Sequence, residues 1–166
     1  MLERIPFLEA LSTSAFARRG GRVIATYFDE NLTEALPGEQ IEGLYGCIDY
    51  YQSVSDPFSR ALLDRYDLRF PQGPRFSAGS GSTGMYRGLK LWEAAVNEAG
   101  SLDQAAVVAA LDHAEIAEGP GGPAAMVPGQ HHVRLNAYIA QVLGGTLEVV
   151  ESLGAIDPGQ PVRAAA

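Results

Sequence analysis

The run Gly119-Pro120-Gly121-Gly122-Pro123 constrains this chain more than any other stretch. Two prolines without a backbone N–H and three glycines let neither a helix nor a strand continue through it. It divides two kinds of patterning. Upstream, apolar residues recur at three- and four-residue spacing. Downstream, Val133, Leu135, Ala137 and Ile139 alternate with Arg134, Asn136 and Tyr138, as in a half-buried strand. Gly144-Gly145 is a two-residue turn, and 146–153 returns as the second strand of a β-hairpin. Residues 124–127 read as a further short strand. Helices followed by a β tail, with strands ahead of them, make the chain mixed α/β.

The upstream part opens with an amphipathic helix over 7–19, carried by Phe7, Leu8, Leu11 and Phe16 and stopped by Gly20-Gly21. Residues 22–28 form a β-rich run of buried-strand length. Asp29, Glu30 and Asn31 follow as a polar loop, and 32–36 as a helical turn closed by Pro37-Gly38. A second strand covers 44–51. Ser55-Asp56-Pro57 starts a helix reaching residue 70, with Phe58, Leu62, Tyr66 and Phe70 on one face; Pro71 and Pro74 end it. The next helix covers 82–99, with Met85, Leu89, Trp92 and Val96 as its buried stripe and Gly100 as its stop. Ser101-Leu102-Asp103-Gln104 is a capping box for a helix to 114.

Composition narrows the function. The 166 residues fit one domain with a core of its own. Acids outnumber bases 20 to 12, a net charge of -8, which argues against nucleic-acid partners and against docking on anionic lipid. A single cysteine, Cys47, allows no intrachain disulfide and no cysteine zinc site. Glu3, Arg4, Pro6 and Glu9 interrupt any signal-peptide run, and no stretch is long and apolar enough for membrane insertion. As written, the chain reads as soluble and cytoplasmic, with a frayed tail over 161–166.

Four groups could carry chemistry. Gly79-Ser80-Gly81-Ser82-Thr83-Gly84 matches G-x-G-x-x-G before a helix, with Asp103 in place of a ribose-binding acid. The mechanism needs a buried strand just upstream, and residues 70–76 carry two prolines and no β-branched run. A Ser/Gly lead-in to a closely packed helix is the plainer reading. His131-His132 sit side by side, so on a strand they point to opposite faces and cannot readily share a metal; one of them suits the turn before the hairpin. Cys47 reads as apolar filler in a strand. Tyr27, Phe28, Tyr45, Tyr50 and Tyr51 fall at strand ends beside Asp29, Glu30 and Asn31. Aromatic walls and an acid at strand carboxyl ends suit a small polar ligand with an amide or amine, and the same residues read equally as aromatic core and polar loop.

The run Tyr86-Arg-Gly-Leu-Lys-Leu-Trp-Glu-Ala-Ala-Val-Asn-Glu-Ala-Gly-Ser101, then 107–111, Gly119-Pro-Gly-Gly-Pro123 and Pro128-Gly-Gln-His-His132 resemble the C-terminal part of periplasmic solute-binding proteins. More narrowly they resemble the amide- and urea-binding branch of the type 1 family, related to the branched-chain amino acid binders of ABC transporters. Residues 45–51, Asp56-Pro57-Phe58 and Tyr66 are similar to the segment that crosses the hinge and re-enters the other lobe, and Ile139 with 147–150 to the closing hairpin. The resemblance runs from Phe7 to Pro158.

It implies a partial type 1 fold: a three-layer α/β sheet with flanking helices and a C-terminal β-hairpin. Residues 1–42 would be a second-lobe remnant, 43–118 a re-entrant first-lobe segment, 119–158 the closing β segment and 159–166 a tail. The first lobe's start, most of the second lobe and the export signal would be missing, with Met1 inside a second-lobe helix. The implied function is non-enzymatic binding of an amide, urea or amino acid, without cofactor or metal, as a periplasmic partner of an ABC permease. The implied ligand-binding group is Tyr27, Phe28, Asp29, Glu30 and Asn31, with Glu30 or Asp29 on an ammonium or amide and Tyr27 or Phe28 as wall. Faces left open at Val23, Ile24 and Ile48 would favour a homo-oligomer. The alternatives are a cytosolic amide-sensing regulator and, third, a nucleotide-binding enzyme using residues 79–84.

Overall fold

The computed structural model describes residues 6, 7, 10, 11, 13–36, 38–73 and 79–159. In chain order the elements are α1 (Ala15–Arg18), β1 (Ile24–Ala25), α2 (Glu30–Glu34), α3 (Gly38–Ile41), β2 (Tyr45–Ile48), α4 (Pro57–Arg69), α5 (Ser80–Ala99), α6 (Gln104–Leu111), β3 (Glu115–Ile116), β4 (Ala124–Val127), β5 (His132–Leu143) and β6 (Thr146–Ile156). The mixed α/β expectation holds, as an open six-stranded sheet with flanking helices.

One strand organises the sheet. β6 pairs antiparallel along one edge of β5 from Leu135 to Leu143. The other edge is shared end to end: β4 pairs with His132–Leu135, and β2 with Tyr138–Gln141. β1 extends the β2 half in parallel, and β3 extends the β4 half antiparallel. Gly144 and Gly145, both at positive φ, close the hairpin as read from the sequence.

Each half carries its own core. Phe28, Leu36, Ile41, Tyr51 and Val54 pack on Tyr138, Ala140, Val142 and Leu147 in the first. Leu91, Ala95, Val107, Ala110 and Ala114 form the second, with Ile116, Met126 and Val133 against them. β5 therefore serves both cores, and its most buried residues are Tyr138, Ala140 and Val142 rather than the series beginning at Val133.

Several local expectations change. No single helix runs from 7 to 19: Ser14 caps α1 by accepting from the Ala17 N–H, which interrupts it, and Leu8 lies outside the described residues. The 22–28 strand shrinks to Ile24–Ala25, because Tyr27 takes a left-handed backbone with φ 65°. Asp29 to Asn31 is no loop; Asp29 precedes α2 as its N-cap residue, and Glu30 and Asn31 are helical. β2 ends at Ile48, leaving Tyr50 and Tyr51 fully buried beyond it. Of the faces expected to be open, Ile24 is exposed, Val23 is half-buried, and Ile48 packs against the first core. Cys47 is half-buried with a free thiol.

The helices that follow fit the reading better at their ends than on their faces. Asp56 caps α4 through the Ser59 N–H at 2.9 Å. Gly100, at φ 57°, ends α5. Asp103 rather than Ser101 caps α6, accepting from the Ala106 N–H, and α6 stops at Leu111. The stripe expected on α5 holds only at Val96, which packs against the second core. Met85, Leu89 and Trp92 are 66%, 58% and 49% exposed, and the buried face is Ser80, Thr83, Arg87, Leu91 and Ala95. Arg87 is buried because it has a carboxylate partner.

Candidate functional site

The segment from Tyr27 to Asn31 leaves the carboxyl end of β1 and enters α2, so its side chains divide between two sides. Phe28 and Glu30 are buried. Tyr27, Asp29 and Asn31 line a cavity of about 440 Å³, closed on the other side by Gly79, Ser80, Gly81 and Ser82 at the start of α5. The structure thus places three of the five expected residues around this space and turns two away.

Polar groups meet across it. The Ser80 hydroxyl and the Asn31 side-chain amide both donate to Asp29 Oδ2, at 3.5 Å and 3.4 Å. Gly79 lets these side chains come close: a Cβ there would lie 2.3 Å from Asn31 Nδ2 and 2.9 Å from Asp29 Oδ2 and would displace them. Gly79 is also the N-cap residue of α5 and offers no side-chain cap, so the positive end of a 20-residue helix opens toward Asp29. The Ser/Gly lead-in to a helix read over 79–84, with a nucleotide turn as the lesser alternative, here supplies one wall of the cavity through its first four residues.

The nucleotide geometry is not formed. From Ser80 onward the run is already helical. Asp103 caps α6 beyond the far end of α5, about 30 Å away at the helical rise per residue. His131 sits in the turn before β5 with φ 53°, as expected for one of the pair. Among the described residues no three His, Cys, Asp or Glu side chains converge as a metal site, and no helix is long and apolar enough to cross a membrane.

Behind the cavity, Glu30 is only 3% exposed. Its Oε1 accepts from the Gln52 N–H at 2.6 Å, while burial raises its carboxyl above the ordinary 4.5. The fully buried Tyr50 and Tyr51 hydroxyls are likewise pushed up, first by burial and then by charged neighbours that include Glu30.

A second buried cluster joins the two half-sheets. Arg87 on α5, 4% exposed, ion-pairs with Asp49 just beyond β2 and donates to the Pro120 carbonyl. The Gly121 N–H donates to Ser59 Oγ, while Asn136 and Tyr138 of β5 both donate to the Gly121 carbonyl. Gly121 is needed here: its φ is +76°, and a Cβ would sit 2.6 Å from the Asp49 carbonyl oxygen. The breaker that divides the sequence is therefore the knot between the two cores.

The family model described as periplasmic binding protein matches residues 4–146. The chain belongs to the periplasmic binding protein family. No curated protein matches the sequence. Solved structures that resemble this periplasmic binding protein chain include an ABC transporter substrate-binding protein from Sphaerobacter thermophilus, at TM-score 0.78 and 17% identity over 95% of this chain and 43% of that one. A leucine-, isoleucine-, valine-, threonine- and alanine-binding protein from Brucella ovis matches at TM-score 0.74 and 16% identity, over 95% and 43%. A solute-binding protein from Rhodopseudomonas palustris BisB5, in complex with 3,4-dihydroxybenzoic acid, matches at TM-score 0.69 and 23% identity, over 86% and 41%. The shared feature is the fold, and this chain spans about two fifths of the length of those neighbours.

Proposed function

We propose that the chain is a non-enzymatic, solute-binding component of an ABC transporter, acting in the periplasm with a permease and taking a small polar solute such as an amino acid, amide or urea. The observation that carries this reading is the cavity between Tyr27, Asp29 and Asn31 and the start of α5. It faces an anionic side chain with the positive end of a long helix. A solute carboxylate would lie at the first turn of α5, its N–H groups at Asp29 and Asn31, and its body under the Tyr27 ring. Phe28 and Glu30 would support this wall from behind. The named solutes of similar structures include leucine, other aliphatic amino acids and benzoates, all carboxylates, which supports a carboxylate-bearing solute ahead of urea. The lobe division at 42/43 and 118/119 belongs to the same proposal: the buried residues of the second core all fall within 43–118, while the first core draws on all three segments.

A thermal-shift series tests it. Aliphatic amino acids, small amides, urea, benzoate, NAD and ATP are each titrated against the chain. A solute at a hundred times its Kd stabilises by about 2.7 kcal/mol. The expected result is stabilisation by a member of the first four classes, lost in Asp29→Asn. Stabilisation by NAD or ATP alone overturns the reading.

A further inference from the structure

The outer face of α5 carries two rows side by side. Met85, Leu89 and Trp92 are exposed and stand four and three residues apart, so they share one side of the helix. Gly81, Gly84 and Gly88 are exposed beside them, three and four residues apart. Glycine inside a helix is less stable than alanine, because its unfolded backbone is freer. A Cβ on any of these three would meet nothing within 4 Å among the described residues, so contacts within the chain give no reason for its absence. Three bulky apolar residues beside three gaps, all on one open helix face, suit an interface.

The order of the two rows selects the occupant. Let a second α5 lie antiparallel on the first, about a two-fold axis level with the Tyr86–Arg87 peptide. Gly81 then faces Trp92 of the second copy, Gly88 faces its Met85, and Gly84 comes level with its Leu89. Every pair occurs twice, as a closed two-fold interface requires. Parallel alignment in register would instead set glycine on glycine and Trp92 on Trp92. The antiparallel arrangement also brings Glu93, of the exposed Lys90–Glu93 pair, level with the start of the other α5, where Gly79 gives no side-chain cap. An acid beside that positive helix end is favourable. We propose that two copies of this chain pair through the outer faces of α5, with Trp92 of each seated on Gly81 of the other. Gly81 also lines the cleft of Tyr27, Asp29 and Asn31, so the second copy brings an aromatic ring to the rim of that cleft. One helix face is a small contact, and the pairing is accordingly weak and concentration-dependent.

The pairing does not depend on the cleft holding a solute, and the two fail separately. Trp92 is the only tryptophan, so its fluorescence reports this contact directly. Sedimentation velocity and tryptophan emission are measured on the full chain from about 1 μM to 1 mM. A monomer–dimer transition is expected, with the emission moving to shorter wavelength at the same midpoint. Gly88→Gln puts a polar side chain where Met85 of the second copy sits and is the better helix former. Met85→Gln removes the bulk from the other side of that contact. Each is expected to weaken pairing at least tenfold, and Gly88→Gln to leave the melting temperature of the dilute chain unchanged or raised. A single monomeric species at every concentration, association without a change in Trp92 emission, or unchanged association in both variants overturns the proposal. So does a lower melting temperature in dilute Gly88→Gln, which would put Gly88 in a contact inside the chain. If the chain stays monomeric, a solute that still stabilises it leaves the cleft reading standing.

Discussion

The ion pair between Arg87 and Asp49 should show a large asymmetry between its two partners. Arg87 is 4% exposed, and burial already pulls its guanidinium below the usual range, so the fold tolerates that cation only because a carboxylate and the Pro120 carbonyl face it. The Asp49 side chain is a quarter exposed and can turn to water. Asp49→Ala therefore strands a buried cation, which costs about 3–5 kcal/mol. Arg87→Met removes the cation, fills much of its volume and leaves a carbonyl short of one donor, for about 1–3 kcal/mol. A chain of this size loses about 2–4 °C in Tm per kcal/mol, so Asp49→Ala should lower Tm by roughly 6–20 °C. The double variant Asp49→Ala/Arg87→Met should be more stable than Asp49→Ala alone. Urea unfolding, followed by the far-ultraviolet signal, gives the three values at constant m. If Arg87→Met costs as much as Asp49→Ala, or the double variant regains nothing, the pair is not what makes this buried arginine tolerable.

Three other outcomes follow from positions already described. Gly121→Ala places a Cβ 2.6 Å from the Asp49 carbonyl at a backbone angle that disfavours a side chain, so it should cost more than about 2 kcal/mol in urea unfolding; a cost under about half that would mean the knot yields easily. Met85→Gln on the exposed side of α5 should change stability by less than about 0.5 kcal/mol, where a buried methionine would cost several. For Glu30 the sign follows from its raised carboxyl: the folded state holds the proton more tightly than the unfolded one, so stability falls as pH rises from 4.5 through the folded value. Glu30→Gln should flatten that fall in urea midpoints measured from about pH 4 to 8; an identical slope in the variant refutes the assignment.

Residue types that act locally were legible in the sequence, and those that act across the fold were not. Asp56-Pro57, Gly100 and Gly144-Gly145 fix helix and hairpin ends by their own backbone chemistry, and the structure keeps them there. The face of α5 could not be read the same way. Its sequence holds two helical stripes, one of Met85, Leu89 and Trp92 and one of Thr83, Arg87, Leu91 and Ala95, and hydrophobicity alone selects the wrong one. Arg87 is buried because of Asp49, 38 positions earlier, which no local pattern reveals. The expected ligand group lay on a segment that does border a cavity, but reading it as a loop hid its two-sidedness. Once Tyr27 turns the backbone and Asp29 starts α2, neighbouring side chains must point apart.

That two-sidedness ties the candidate cleft to the rest of the fold. Asp29 and Asn31 face the start of α5, whose Arg87 is fastened through Asp49 and Pro120 to both half-sheets. Glu30, one residue away, is fastened to Gln52 on the segment running from β2 to α4. A solute pulling Asp29 toward Ser80 therefore pulls on both connections between the halves, and its effect should register at Gln52 and Gly121 as well as in the cleft. The register shifts of β5 and β6 fall between Ala137 and Tyr138 and between Ile139 and Ala140, beside the Gly121 contact. Irregular pairing there leaves the hairpin most easily bent where the two cores meet. Relative motion of the halves should then concentrate at residues 136–140, with the Arg87 cluster setting how far it can go.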